Sequence, residues 1–98
     1  MTVDDFRNSV ANDSQPDAGL NDVLKALWYD AKGDWERAHE LCQSAGSADG
    51  DWVHAYLHRV EGDLGNASYW YSRSGKPRYE GSLESEWASI VEALLPDG

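Results

Sequence analysis

His54 and His58 stand four residues apart, and Glu61 follows three further on. On a helix, that spacing stacks two imidazoles one turn apart on a single face, with the carboxylate one turn beyond. Such a pair can chelate a divalent transition metal, with Glu61 as a third ligand and His39 as another if the fold brings it near. The intervening residues, Ala55-Tyr56-Leu57, lack the glutamate of the H-E-x-x-H metalloprotease motif, and no second local ligand set exists. Spacing alone is a weak motif, so the plainer expectation is histidines that hydrogen-bond between helices or face water. A related reading places them in a ring-lined polar cluster with Lys25, Tyr29, Arg59, Asn66, Tyr69 and Arg73. Clusters of that kind suit a small ligand or a peptide end.

Other chemistry finds little support. Cys42 is the only cysteine, which excludes an internal disulfide and a Cys-rich zinc site. It falls on the apolar face of a predicted helix, where a thiol acts as a small hydrophobe rather than a nucleophile. No serine occupies a Gly-x-Ser-x-Gly elbow, and no glycine loop has the spacing that cradles phosphate. No catalytic residue is assigned, and the chain is expected to be non-enzymatic. Asp and Glu number 18 against 8 Lys and Arg, a net charge of −10. Phosphate contacts need clustered cations, so neither nucleic acid nor an anionic membrane surface is an expected partner.

The elements that would position these residues are helices. Leu20, Val23, Leu24, Leu27, Trp28 and Ala31 follow a helical period up to Gly33. Asp34 caps a second helix, Trp35 to Ala45, which turns Trp35, Ala38, Leu41, Cys42 and Ala45 inward. Asp51 is the expected cap of a third, with an apolar face of Trp52, Val53, Tyr56, Leu57 and Val60. On that wheel His54, His58 and Glu61 lie opposite the stripe. A fourth helix, Leu64 to about Ser74, is expected to bury Leu64, Ala67, Trp70 and Tyr71. Ser82 caps a fifth, striped by Leu83, Trp87, Ile90, Val91 and Leu94, and Pro96 to Gly98 form a tail. Residues 1–16 read as a flexible N-terminal arm. A short helix is allowed there by the Thr2/Asp5 capping pair, with Val3, Phe6 and Val10 docking weakly. No strand pattern occurs, so the fold class is all-α, with about five helices.

Two of these helical pairs are copies of one another. Ala26, Gly33, Asp34, Ala38 and Gly46 recur as Ala55, Gly62, Asp63, Ala67 and Gly75, each 29 residues later and without a gap. The Gly-Asp turn with alanines on either side resembles the tetratricopeptide (TPR) helical hairpin. The small residues Ala26/Ala55 and Ala38/Ala67 match that family's contact positions, Cys42/Tyr71 its following large position, and Ala45/Ser74 its last small one. The resemblance spans roughly residues 20–75. It departs in a period of 29 against the family's 34 and in Asp22 and Asp51 at the early Trp position. The family's next core positions hold Lys25 and Tyr29 in the first copy, and His54 and His58 in the second.

The resemblance implies two TPR-like antiparallel hairpins plus a packed C-terminal helix, in a single domain over residues 17–98. An apolar groove as wide as this first-helix stripe would not stay open, so the C-terminal helix is expected to fill it. The function expected is a binding or scaffold module for a protein segment or small ligand, through Tyr29, Trp52, Tyr56, Arg59, Tyr69 and Trp70. Aromatic and arginine residues are favoured interface anchors. The alternative is a metal-binding protein using His39, His54, His58 and Glu61. Self-association through any apolar surface left uncovered is a further expectation. Lacking an N-terminal leader pattern or an apolar run of about 18 residues, the chain is expected in the cytoplasm.

Overall fold

The computed structural model describes residues 1–96; Asp97 and Gly98 of the expected tail lie outside them. The fold is all-α and has six packed helices rather than five: α1 (Val3–Asn12), α2 (Asp22–Ala31), α3 (Trp35–Ala45), α4 (Ala48–Val60), α5 (Leu64–Ser74) and α6 (Leu83–Leu94). No strand occurs among the described residues.

The duplication is visible bond for bond at the turns. Gly33 and Gly62 adopt φ of 88° and 79°, the left-handed region that a Cβ disfavours. In the first turn Gly33 N–H donates to Asp30 O at 2.9 Å and Asp34 N–H to Tyr29 O at 2.9 Å. In the second, Gly62 N–H donates to Arg59 O at 3.0 Å and Asp63 N–H to His58 O at 2.9 Å. Both are Schellman closures that satisfy the last carbonyls of the preceding helix. Asp34 and Asp63 then accept from Arg37 N–H and Asn66 N–H, capping the helix that follows. Chain reversals this short force α2 against α3 and α4 against α5, and these pairs pack extensively.

The sixth helix is α1. The Thr2–Asp5 capping box forms in both directions, at 3.0 and 3.1 Å. Phe6 is fully buried, with its ring 5.5 Å from Trp87, and Trp28 Nε1 donates to Ser9 Oγ at 3.1 Å. Full burial of an aromatic ring contributes on the order of 3 kcal/mol, enough to hold a ten-residue helix that could not persist alone. α6 lies along α2 and α4. Its Trp87 indole donates to Leu27 O at 3.0 Å, and Ile90 and Val91 are completely buried. Leu27 is fully buried and Trp52 half-buried.

Several details of the sequence reading change, and Val60 and Leu83, expected on apolar faces, are exposed. α4 starts at Ala48, capped by Ser47 rather than Asp51, with Ser47 Oγ accepting from Gly50 N–H at 3.0 Å. Gly50 is thereby inside the helix and against α3, where an added Cβ would stand 2.7 Å from Cys42 O. Leu64, expected to be buried, is 61% exposed. Its counterpart in the first copy, Trp35, is half-buried because α4 lies beside it and accepts its indole N–H at Leu57 O, 3.1 Å away.

α4 is the central element. One side meets the main core through Val53, Tyr56 and Leu57, whereas Ala55 packs with Ala67 and Tyr71 of α5. A helix buried on two sides has room for polar side chains in its interface only if they find partners there.

Candidate metal centre

Three histidines converge between α3 and α4. The close approach at Gly50 brings the α3 backbone near enough for His39, one turn back from Cys42, to face His54. Their Nε2 atoms are 2.7 Å apart. At that distance one nitrogen carries a proton and the other accepts it. His58 sits one turn along α4, its ring stacked on that of His54 at 4.8 Å and 21°. One ring nitrogen from each of His39, His54 and His58 can be chosen so that all three lie within 4.8 Å of one another. The cluster is geometrically compatible with metal-ion coordination.

Aromatic rings wall it in. Trp35 stacks on His39 at 4.8 Å and meets His58 edge-on at 6.3 Å. Trp70 of α5 stacks on His54 at 3.9 Å, so the His54 ring is sandwiched between Trp70 and His58. His54 is 3% exposed, while His39 and His58 are half-buried. The wheel had set His54 opposite the apolar stripe; it is buried nonetheless, because that side of α4 is covered by α5 and α3.

This enclosure decides the protonation state. Burial pushes His54 down to about 4, assisted by the facing His39 and His58 and by Arg73. His39 is lowered too, chiefly by burial and then by His58, against an opposing pull from Glu40. Neutral imidazole with a free lone pair is the form that ligates a metal. At neutral pH His39 and His54 are held in that form.

The other residues singled out from the sequence are dispersed. Glu61 is exposed and outside the three-histidine set. Trp70 belongs to the cluster wall, and Tyr69 beside it is 54% exposed, with Arg73 6.0 Å from its ring centre. Trp52 is covered by Lys76, whose Nζ is 4.5 Å from the ring centre, and Tyr29 by Arg37 at 5.0 Å. Lys25 is half-buried, and Asn66 donates to the capping carboxylate of Asp63 at 2.6 Å. Arg59 pairs with Glu86 Oε1 at 2.9 Å and donates to Gly81 O. Tyr71 donates to the other oxygen of Glu86, which is 1% exposed. Glu86 thus ties α4, α5 and α6 together. Tyr56 is buried in the main core, on the side of α4 away from His54.

Sequence reasoning undervalued His39 and missed Trp35 as a wall. The available signal was their i, i+4 spacing, which places both rings on one face of α3. A cavity of about 320 Å³ opens beside His54, lined among others by Gln43, Asp51, Trp70 and Arg73. Comparison of the chain with protein-family models, with curated proteins and with solved structures finds no match.

Proposed function

We propose that this protein binds a divalent transition metal through His39, His54 and His58. The observation that carries the reading is the convergence of three imidazoles from two helices, with ring nitrogens within 4.8 Å of one another. An all-nitrogen set suits zinc, copper or nickel, whereas calcium and magnesium require oxygen ligands. Three protein ligands leave a fourth position for water or an exogenous donor.

The present geometry is poised one step short of coordination. Metal–nitrogen bonds of about 2.0–2.1 Å in tetrahedral array set nitrogens roughly 3.3 Å apart. The 2.7 Å contact between His39 and His54 must therefore open by roughly 0.6 Å as its bridging proton leaves. His39 is the ligand that can move, because it is half-buried on α3, whereas His54 is clamped between Trp70 and His58. Glu40 and Asp63 lie close enough to interact with His39 and His58 respectively, and their charge favours an incoming cation. Arg73 near His54 opposes it.

Titration calorimetry with zinc, nickel and copper salts tests the proposal. Stoichiometric binding of at least one is expected, weakened by about tenfold or more in His39→Gln and in His58→Gln. Both residues are half-buried, so both variants are expected to fold, and circular dichroism checks this. Variants that fold and bind as the wild type does would overturn the assignment, as would the absence of binding by all three metals.

The helix pairs α2–α3 and α4–α5 are further read as TPR-like copies. Support comes from the matched turn bonds and from Ala26, Ala38, Ala55 and Ala67, each at most 2% exposed at the family's contact positions. The binding-module reading needs an open face beside α2 and α4. That side carries α6, with Trp87 bonded to Leu27, so the metal reading has the better support.

A further inference from the structure

A second cavity, of about 280 Å³, lies among α1, α2, α4 and α6 and shares no residue with the histidine cluster. Val10, Ala31 and Trp87 make its lining largely apolar. Asp30 of α2 and Tyr56 of α4 place a carboxylate and a hydroxyl on it. Asp30 is half-buried, and among the described residues it has no cationic side chain within ion-pair distance. Arg7, the one cation on the cavity, pairs with Glu84 at 3.9 Å and lies 5.9 Å from the Trp87 ring centre. Both members of that pair are well exposed, so little free energy holds Arg7 where it is.

A carboxylate withdrawn from water without a counter-ion destabilises the fold that holds it. Burial accordingly pushes Asp30 up to about 6, and the neighbouring Tyr56 hydroxyl offsets only part of the rise. Tyr56 is itself raised by burial and by the adjacent Asp30 charge, so it remains a donor. A cation entering the cavity would relieve the uncompensated charge. An anion would meet both Asp30 and Glu84, and a bare metal ion would find too few ligands there. The aromatic and aliphatic lining suits carbon and cation–π contact instead.

We propose that this cavity binds a small organic ammonium ion, a primary or methylated amine whose charge pairs with Asp30 while its carbon chain lies against Trp87, Val10 and Ala31. The volume is just below the range of about 300–1,000 Å³ that takes drug-sized ligands, so an amine of a few carbons fits. The site is independent of the metal assignment, and either can fail alone.

The test uses n-butylamine and tetramethylammonium as probes, with n-butanol and butyrate as neutral and anionic comparators. Binding is followed by calorimetry and by the Trp87 indole N–H signal in nuclear magnetic resonance. The cations are expected to bind saturably and to shift Trp87, and Asp30→Asn to weaken them by about tenfold or more. Because the ligand needs Asp30 ionised, wild-type affinity is expected to fall by about tenfold from about pH 7 to pH 5. Arg7, Tyr56 and Glu84 are the other ionisable groups on the cavity, and Glu84→Gln is expected to keep that dependence. Butanol binding as tightly as butylamine, cation binding that is unchanged in Asp30→Asn, or an unmoved Trp87 signal would each overturn the proposal.

Discussion

Among the groups that titrate between about pH 7 and pH 4, His54 and Asp30 have large and opposite consequences for the fold. His54 is held at about 4 when folded, against 6.5 in an exposed chain. Between those values the unfolded chain takes up a proton that the folded one refuses, so stability falls as the pH drops. The loss starts near 6.5, is complete near 4, and amounts to about 3 kcal/mol at 1.36 kcal/mol per pH unit. Asp30 is raised from 3.8 to about 6. Here the folded chain takes up the proton first, so stability rises as the pH falls through 6, again by about 3 kcal/mol. The two contributions nearly cancel in the wild type. Asp30→Asn removes the compensating one. Relative to wild type, the variant is expected to be most favoured at pH 7 and to lose about 3 kcal/mol of that advantage by pH 4. Urea unfolding followed by tryptophan fluorescence at half-unit pH steps measures the difference. His39 and the capping carboxylates Asp5 and Asp63, all lowered, titrate in both proteins and drop out of it. Parallel stability profiles for variant and wild type across this range would refute the reasoning.

Three substitutions probe the packing that positions the histidines. Phe6→Ala should cost about 3–5 kcal/mol in urea unfolding, since its ring is fully buried; a cost near zero would mean that α1 contributes nothing to the core. Gly50→Ala would put a Cβ 2.7 Å from Cys42 O and force α3 and α4 apart. A loss of about 1–3 kcal/mol is expected, along with a changed His39–His54 ring signal, and an unaltered ring spectrum would contradict the link. Arg59→Ala leaves the carboxylate of Glu86, 1% exposed, without its cation and should cost about 3–5 kcal/mol. Adding Glu86→Gln to that variant should recover part of the loss, and no recovery would argue against an electrostatic origin.

Much of the frame was legible in the sequence because helix ends carry local chemistry. The Gly-Asp turns, the caps Asp34, Asp63 and Ser82, and the stripe of α6 each follow from neighbours within four residues. What escaped depends on tertiary partners. Three apolar residues in a polar stretch look too few to order α1, until Phe6 finds Trp87 and Trp28 finds Ser9. A hydrophobic period marks only one buried face, and α4 has a second, built from His54 and His58 against Trp70 and Trp35. Nothing in the residues beside Asp30 and Glu86 marks them as acids withdrawn from water, because Tyr56, Arg59 and Tyr71, which lie beside them, are distant in sequence. The histidine pair was visible as a spacing. Its third member was settled only by how closely Gly50 lets α3 approach.

The most direct measurement on the metal assignment is the imidazole nitrogen spectrum of the three histidines before and after stoichiometric zinc. In the metal-free protein the His39–His54 contact holds one ring proton between two Nε2 atoms. Zinc is expected to displace that proton and to shift ring nitrogens of His39, His54 and His58 together, with a single stoichiometric endpoint. A His39–His54 proton that stays in place, with all three rings unshifted, at saturating zinc and likewise at saturating nickel and copper would contradict the assignment.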